Sequence, residues 1–406
     1  MAEPALVRPV FHHRNVTVLA ASLFGLSLGE ELWQAYLPAY LTALGAGGVA
    51  VGLFGSSKDL LDSLYQYPGG WLADRLGRRR ALLVFTSLAT AGYALYASAP
   101  AWPFVFAGLL GVMAWKAGAF PTTFAVIADS LPRGRRSVAF SVQSILVRVP
   151  RVISAPAGGL LIATFGILGG VRLSVTITIA LAGVVLLLQT YGFREGVESD
   201  PRPNTGSATA VFATMPPPLR RLLVADCLVR IGEGIAASFI LLFVTGILGY
   251  SAADYGLLYA TQQFVSIVCY LPGGRLADRS GRTPVVAATF AFFALFPLSV
   301  RFAGTYGMLV TAFVIGGFKE IGEPARKSLI VDCAPDDRRA STVGVYYTIR
   351  NLVVVPAGLI GGLLWQKDPV LPLQTAFAVS AVGTLVFLIT VFRTRTDGDS
   401  ASARVG

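Results

Sequence analysis

Long apolar runs, separated by short clusters of glycine, proline and charge, dominate the sequence. The runs at 81–97, 284–300 and 376–392 are apolar all round instead of alternating with polar positions. Each is long enough to cross a hydrocarbon layer of roughly 30 Å as a helix, whereas a transmembrane barrel would show short alternating segments. The pattern therefore predicts an all-α membrane protein.

Cutting the chain at these clusters predicts twelve transmembrane helices. They cover residues 16–40, 49–73, 81–99, 102–129, 137–165, 171–193, 220–246, 253–276, 284–302, 305–331, 341–364 and 372–393. The stretch 194–219 is polar, proline-rich and without period, so it predicts a linker between two six-helix bundles, 16–193 and 220–393. Residues 1–15 and 394–406 are predicted to be tails.

Arginine clusters predict the orientation. The connectors after the second, fourth, sixth, eighth and tenth spans are rich in arginine, as at 78–80 and 133–136, while most connectors on the other side carry almost none. By the positive-inside rule, both tails and the linker are cytoplasmic in a multi-pass protein of the cell (inner) membrane. This bias also explains the net charge of +11, so we expect a lipid bilayer and no nucleic acid as partner.

Composition agrees with the membrane class and excludes several kinds of site. Hydrophobic residues make up 54% of the chain and charged residues 14%. The three cysteines are far apart, both histidines lie in the N-terminal tail, and no phosphate-binding glycine loop of the GxxxxGK[ST] kind occurs. We therefore expect no metal site, no cofactor and no direct use of ATP.

The two predicted halves repeat one another. PGGWLADRLGRR at 68–79 recurs as PGGRLADRSGRT at 272–283. Elsewhere the offset is 203 residues, and it relates Glu30 to Glu233, Lys116 to Lys319, and Pro121 to Pro324. An internal repeat of this length predicts that the two bundles are pseudo-symmetric.

Two six-span halves, each with G-x-L-A-D-R-x-G-R between its second and third helix, resemble the major facilitator superfamily of secondary transporters. The resemblance covers residues 14–395. It implies alternating access, and it implies that the repeated element is a conformational latch. Physically, the aspartate can accept hydrogen bonds from a helix N-terminus and pair with the second arginine, while the glycines let helices approach. The implied latch residues are Gly70, Asp74, Arg75, Gly77, Arg78, Gly274, Asp278, Arg279, Gly281 and Arg282.

Ionisable residues lie near the middle of several spans, where a charge costs ~3 kcal/mol or more. With both histidines in the tail, a proton carrier would have to be a buried carboxylate, because burial penalises the charged form. The candidates are Glu30, Glu31, Asp59 and Asp62. Helical spacing predicts neutralising pairs between Lys58 and Asp62, Lys319 and Glu323, and Arg230 and Glu233.

The resemblance implies that the first, fourth, seventh and tenth helices line a central cavity, at matching depth in the two halves. Pro121 and Pro324 follow the lysines of the fourth and tenth helices by five residues and can loosen the backbone there. Structural pairing remains the alternative to substrate contact for these charges. The cavity candidates are Gln34, Lys116, Arg148, Arg151, Arg230, Glu233, Gln262, Lys319, Glu320, Glu323 and Arg350.

These observations favour a monomeric secondary active transporter that moves a small organic solute, coupled to protons, with export as one of the directions left open. The alternative is a membrane receptor or scaffold that kept the fold without transport, but a scaffold gains little from so many costly buried charges. Nothing in the sequence resembles a nucleophile, base and oxyanion site, so we do not expect an enzyme.

Overall fold

The computed structural model describes residues 14–119, 122–123, 126, 133–193, 212–213, 215–335 and 339–402. The predicted N-terminal tail up to residue 13, the predicted linker from 194 to 211 and Pro121 lie outside these ranges. The side chain of Asp74 also lies outside the described part of the chain.

Every regular element in the described ranges is helical. The helices are α1 (Arg14–Glu30), α2 (Leu37–Ala43), α3 (Gly48–Leu76), α4 (Arg78–Ser98), α5 (Trp102–Met113), α6 (Arg133–Gly192), α7 (Pro217–Ala237), α8 (Phe239–Leu242), α9 (Ala252–Ser280), α10 (Arg282–Arg301), α11 (Tyr306–Phe318), α12 (Glu323–Asp332), α13 (Arg339–Val354), α14 (Ala357–Lys367) and α15 (Leu371–Ser402). A 3₁₀ turn at Gln34–Tyr36 and π-helical turns at Ala114–Gly118 and Phe243–Ile247 complete the described elements. Each predicted span overlaps one of these helices, so the all-α prediction is confirmed.

Seven described helical stretches are long and apolar enough to cross a membrane, and Trp102–Gly118 forms a shorter apolar helix. One of the seven, Arg148–Gly192, contains most of two predicted spans. The stretch 305–331 is divided between α11 and α12, so neither part is long enough alone. In α3, the charged residues near the middle lower the hydropathy. The seven stretches cover all or most of eight of the twelve predicted spans, and the other four fall on α3, on Trp102–Gly118, on α9 and on α11 with α12.

Glycines with positive φ separate consecutive helices. Gly166, with φ of 71°, interrupts α6 between the predicted spans 137–165 and 171–193. Gly77, with φ of 80°, lies between α3 and α4. A residue with a side chain rarely adopts a positive φ, so glycine makes these sharp reversals of the backbone possible.

The chain divides into two compact units. Unit 1 comprises residues 1–47, 57–202 and 244–260, and unit 2 comprises residues 48–56, 203–243 and 261–406. The helices α3 and α9 therefore pass from one unit to the other, after Ser56 and Ala260 respectively.

An aromatic cluster forms part of the interior of unit 1. The indole of Trp33 is 1% exposed and packs edge-on against the rings of Tyr93 and Tyr96. Its Nε1–H donates a hydrogen bond of 3.0 Å to Thr178 Oγ1. Because a buried indole N–H needs an acceptor, this bond fixes Trp33, which lies three residues after Glu30, against α6.

Aromatic and aliphatic side chains from α7, α10, α13 and α15 form the interior of unit 2. Phe290 packs edge-on against Phe387, with ring centroids 5.2 Å apart. The backbone of α7 also approaches α15 closely at Gly232, where an added Cβ would collide with Ser380 and Ala376. This close packing holds in place the charged residues that α7 carries.

Candidate functional site

The first helix breaks at two adjacent carboxylates in unit 1. Helix α1 ends at Glu30, and a turn and the 3₁₀ segment Gln34–Tyr36 follow before α2 begins. Both Glu30 and Glu31 are 5% exposed. Irregular backbone at membrane depth is tolerated where it is buried in protein or lines a cavity. The break therefore marks a candidate site and places two acidic side chains there.

Glu30 has partners from two other helices. The Tyr93 hydroxyl of α4 donates a hydrogen bond of 2.5 Å to Glu30 Oε1. Lys116 Nζ lies 3.3 Å from Glu30 Oε2 and also donates to Gln34 Oε1. The carboxylate is thus held by one cation and one hydroxyl, and Gln34 shares that cation.

Lys116 lies inside the π-helical turn Ala114–Gly118, which follows α5. Such turns are rare and recur at functional sites, because the extra residue displaces side chains from the regular helical register. At the end of the turn, Gly118 packs so closely against Gly69 of α3 that a Cβ on Gly69 would collide with the Gly118 backbone. The position of Lys116 is therefore fixed by backbone packing.

Glu31 forms a separate ion pair in the same unit. Arg151 Nε of α6 lies 3.0 Å from Glu31 Oε1, and the Arg151 side chain is 34% exposed. Arg148, one turn earlier in α6, is half-buried and also makes contacts.

The four proton-carrier candidates differ in burial. Glu30 and Glu31 are buried, whereas Asp59 and Asp62 of α3 are half-buried.

A second helix break lies in unit 2. Helix α11 ends at Phe318, and α12 begins at Glu323 with Pro324 in its first turn. Proline has no N–H to continue the preceding helix, which explains why the chain restarts here. The freed N–H of Gly322 donates to Thr289 Oγ1 at 2.8 Å. Lys319 and Glu320, both part-buried, lie in the break itself.

Glu233 of α7 is held by two cations. Arg230 Nη1 lies 2.8 Å from Glu233 Oε2, as the three-residue spacing predicts, and Lys319 Nζ lies 2.6 Å from Glu233 Oε1. The predicted pair between Lys319 and Glu323 is wrong. The helix break after Phe318 removes the regular four-residue register, so Lys319 turns towards α7 instead.

A fully buried pair lies deeper in unit 2. The Asp226 side chain is 0% exposed and that of Arg326 is 1% exposed, and Arg326 Nη1 donates to Asp226 Oδ2. The Tyr346 hydroxyl donates to the same oxygen at 2.9 Å. Arg326 Nη2 also donates to Glu323 Oε2 at 2.6 Å. These contacts link α7, α12 and α13.

Asp226, Arg326 and Tyr93 were not among the site residues predicted from the sequence. A signal existed for two of them, because Asp226 precedes Arg230 by four residues and Arg326 follows Glu323 by three. Tyr93 shows no pattern that separates it from the other tyrosines of the chain.

Two further cavity candidates have contacts of different kinds. The Gln262 amide is buried and its Nε2 donates to the Gly316 carbonyl at 3.4 Å, which is a contact between helices α9 and α11. The Arg350 guanidinium lies over the ring of Tyr347, 4.6 Å from its centroid, and donates to Asn351 Oδ1. Its nearest carboxylate oxygen in the described residues is Asp226 Oδ2, at 3.9 Å.

In the second copy of the repeated latch element, the observed ion pair differs from the expected pair between Asp278 and Arg282. Arg282 forms an ion pair with Asp332 at the end of α12, whereas Asp278 is exposed. An added Cβ at Gly274 would have no neighbour within 4 Å, while one at Gly273 would collide with the Ile321 backbone. The close helix approach in this copy is therefore at Gly273 instead of Gly274.

In the first copy of the latch, the guanidinium of Arg75 lies over the Trp71 ring, 4.6 Å from its centroid. Arg78 also makes contacts. The glycines that end the two helices correspond, because Gly77 and Gly281 have φ of 80° and 86°. The local backbone of the two copies is therefore alike at the turn.

In the described ranges, no three His, Cys, Asp or Glu side chains are grouped as metal ligands. Each unit holds its own set of ion-paired carboxylates and cations beside a broken helix. Such groups can exchange partners, bind a proton or bind a charged solute.

Comparison with known proteins identifies relatives along nearly the whole chain. A family model described as Major Facilitator Superfamily matches residues 18–229 and 222–405. An uncharacterised MFS-type transporter of Methanocaldococcus jannaschii is 21% identical over 397 residues, which are 92% of this chain and 94% of the relative. The enterobactin exporter EntS of Shigella flexneri is 24% identical over 404 residues, which are 95% of this chain and 91% of the relative.

Solved transporter structures share the fold. The nucleoside transporter NupG superposes with a TM-score of 0.76 at 13% identity, covering 92% of this chain and 97% of that chain. A bacterial homologue of the human lysosomal transporter Spinster, in an inward-facing and unoccupied conformation, superposes with a TM-score of 0.69 at 18% identity. That match covers 93% of this chain and 95% of that chain.

Proposed function

Because the chain belongs to the major facilitator superfamily, we propose that this multi-pass membrane transporter moves a small organic solute by alternating access, driven by protons. The family and its solved members are transporters. The solute, the coupling ion and the direction are the parts that we propose here.

One observation carries the proposal: each unit holds a part-buried ion pair between lysine and glutamate at the same place in the repeat. Lys116 lies 3.3 Å from Glu30 in unit 1, and Lys319 lies 2.6 Å from Glu233 in unit 2. The partners in the second pair are 203 residues after those in the first. Ion pairs that are withdrawn from water often stabilise less than apolar residues would, so two such part-buried pairs beside helix breaks support a functional site.

For proton coupling we propose Glu30 as the carrier. It is 5% exposed and is held by one cation, Lys116, and the Tyr93 hydroxyl. A proton on Glu30 would release Lys116, which could then bind another group or move. Binding of a proton would thereby change the contacts between α1, α4 and the π-helical turn, and these differential contacts are what couple an ion to a conformation.

For direction we propose export across the inner membrane, with both tails and the linker 194–219 in the cytoplasm. The support comes from relatives named as enterobactin exporters at 24% identity. The division into bundles 16–193 and 220–393 and the role of the latch residues remain predictions.

Proton flux into proteoliposomes tests the proposal. The purified full chain would be reconstituted with a pH-sensitive dye inside, and enterobactin, benzoate, indole-3-acetate, benzamide or indole-3-acetamide would be added outside. We expect at least one solute to move protons into proteoliposomes faster than into empty liposomes, which measure the passive entry of the protonated acids. A wild-type protein that moves labelled solute without any proton flux would contradict proton coupling. A folded protein that moves none of these solutes would count against the proposed substrate class.

A further inference from the structure

We propose that Arg350 binds the carboxylate of the transported solute, so that the substrate is an organic monoanion. This inference rests on the proposed function and specifies the substrate class of the same site. It is carried by the weak pairing, the hydrogen bonds and the burial of Arg350 within the ion-pair network around it.

Among the described residues, the connected ion pairs of unit 2, apart from the exposed Lys327, contain four cations and three carboxylates. Ion pairs connect the carboxylates of Asp226, Glu233 and Glu323 with the cations of Arg230, Lys319, Arg326 and Arg350. Lys327 also contacts Glu323, but its side chain is 52% exposed and solvated. Glu320, one residue from Lys319, is part-buried and adds a fourth carboxylate nearby, so the strength of its pairing, and not the charge count alone, distinguishes Arg350.

Arg350 is the most weakly paired cation of this network. Arg230 and Lys319 lie within 2.8 Å of Glu233 oxygens, and Arg326 directly contacts Asp226 and Glu323. Arg350 Nη1 lies 3.9 Å from Asp226 Oδ2, an oxygen that already accepts from Arg326 and from Tyr346. Asp226 therefore cannot fully neutralise Arg350 as well.

The hydrogen bonds of Arg350 leave one edge of its guanidinium available. Nε and Nη2 both donate to Asn351 Oδ1, at 3.2 and 2.9 Å. This uses the Nε/Nη2 edge, while the ring of Tyr347 covers one face. In the described part of the chain, no acceptor contacts Nη1 within hydrogen-bond distance. The Nη1/Nη2 edge is a fork of two parallel donors, which is the geometry that binds a carboxylate in two places.

The burial of Arg350 makes an unpaired state costly. Its side chain is 16% exposed, so water solvates the guanidinium only in part. An incoming carboxylate would replace that missing solvation with a charge-assisted pair. A carboxylate carries one negative charge and matches the single charge of the weakly paired Arg350 guanidinium, whereas a phosphate monoester carries about −1.5 to −2 at neutral pH.

Thermal unfolding with matched acids and amides tests this inference without requiring transport. The full chain in detergent would be heated with acetate, benzoate, indole-3-acetate or cholate, each paired with its uncharged amide. We expect at least one acid to raise the Tm by a few degrees and its amide to leave the Tm unchanged, because a ligand that binds only the native state stabilises it. No stabilisation by any acid, or equal stabilisation by acid and amide, overturns the inference.

Variants then assign the binding to Arg350. Arg350→Gln should abolish the acid-dependent Tm shift, and Arg350→Lys should fold and weaken the affinity about tenfold or more, because an ammonium cannot bind in two places. The control is Arg172→Gln, since Arg172 is part-buried in unit 1 and donates to the Ala99 carbonyl at 2.8 Å. It should keep the full shift. A full shift in both Arg350 variants would overturn the inference.

Uptake separates this inference from the proposed function. If an acid binds through Arg350 but is not carried into proteoliposomes, the role of Arg350 in binding is supported and transport of that acid is contradicted. Proton-coupled transport of an uncharged solute that survives Arg350→Gln would leave the proposed function intact and contradict the role of Arg350.

Discussion

Lys116 Nζ lies 3.3 Å from Glu30 Oε2, and this pair joins the break after α1 to the π-helical turn after α5. The equivalent pair in unit 2 is more strongly held, because Glu233 contacts both Arg230 and Lys319. Loss of the charge on Glu30 would remove the partner of one cation, whereas loss of the charge on Glu233 would remove a partner of two cations. This asymmetry is why we place the proton on Glu30.

The pair itself can be tested by a double-mutant cycle. Lys116→Met should lower the free energy of unfolding by about 3–5 kcal/mol, because it leaves a buried carboxylate without its cation. Adding Glu30→Gln should recover most of that loss, since an absent pair costs less than an unpaired charge. The Tm of the wild type, the two single variants and the double variant measures both effects.

Lys58→Met is a matched control for Lys116→Met. Lys58 lies 3.6 Å from Asp59, and its side chain is 49% exposed, so its removal should cost no more than about 1 kcal/mol. If Lys116→Met were as mild as Lys58→Met, or if the double variant were less stable than either single one, Glu30 and Lys116 would not form a buried pair.

Arg326 is predicted to be structural. Arg326→Met removes the closest cation from Asp226, whose side chain is 0% exposed, and should destabilise the protein by about 3 kcal/mol or more. Lys327→Met, at the next position of α12, removes a cation that is 52% exposed and should cost about 1 kcal/mol at most. Thermal unfolding of the two variants compares them, and equal Tm values would show that the Asp226 pair contributes no more than a surface pair.

In the predicted latch of the second half, Arg282 forms an ion pair with Asp332, and we predict that this pair is the latching contact. We expect Arg282→Gln and Asp332→Asn to fold and to slow transport, because a contact present in one conformation only biases the conformational equilibrium. The charge-swapped variant Arg282→Asp with Asp332→Arg should recover part of the rate. Uptake into proteoliposomes measures this, with Arg275→Gln, an exposed neighbour in α9, as the control. If the swapped variant were as slow as both single variants and Arg275→Gln were also slow, the pair between Arg282 and Asp332 would not explain the effect. Positive charge in this region would then be needed for another reason.

Topology is predicted by the distribution of arginine. A reporter fused after Arg395 or inserted near Asn204 should be cytoplasmic, and one near Gly47 should lie outside. Accessibility of single cysteines at these positions to an impermeant reagent would give an independent measurement. A cytoplasmic Gly47 would overturn the predicted orientation.

The helical fold was predictable from the sequence because apolar runs and arginine clusters specify spans directly. The repeat also predicted that Glu30, Lys116, Glu233 and Lys319 are related. The partner of Lys319 was not predictable from helical spacing, because the helix breaks after Phe318 and the four-residue register no longer applies. Asp226 was missed for another reason: its importance depends on contacts with Arg326 and Tyr346, which are 100 and 120 residues away in sequence.

The most direct test of proton-coupled transport is a comparison of two kinds of flux in Glu30→Gln. Glutamine keeps the shape and hydrogen-bonding capacity of the side chain but cannot bind and release a proton at this position. In proteoliposomes, we predict that uptake driven by a pH gradient falls to the level without a gradient, while exchange of labelled solute for unlabelled solute continues. Gradient-driven uptake at the wild-type rate in Glu30→Gln would contradict the assignment of Glu30 as the proton carrier.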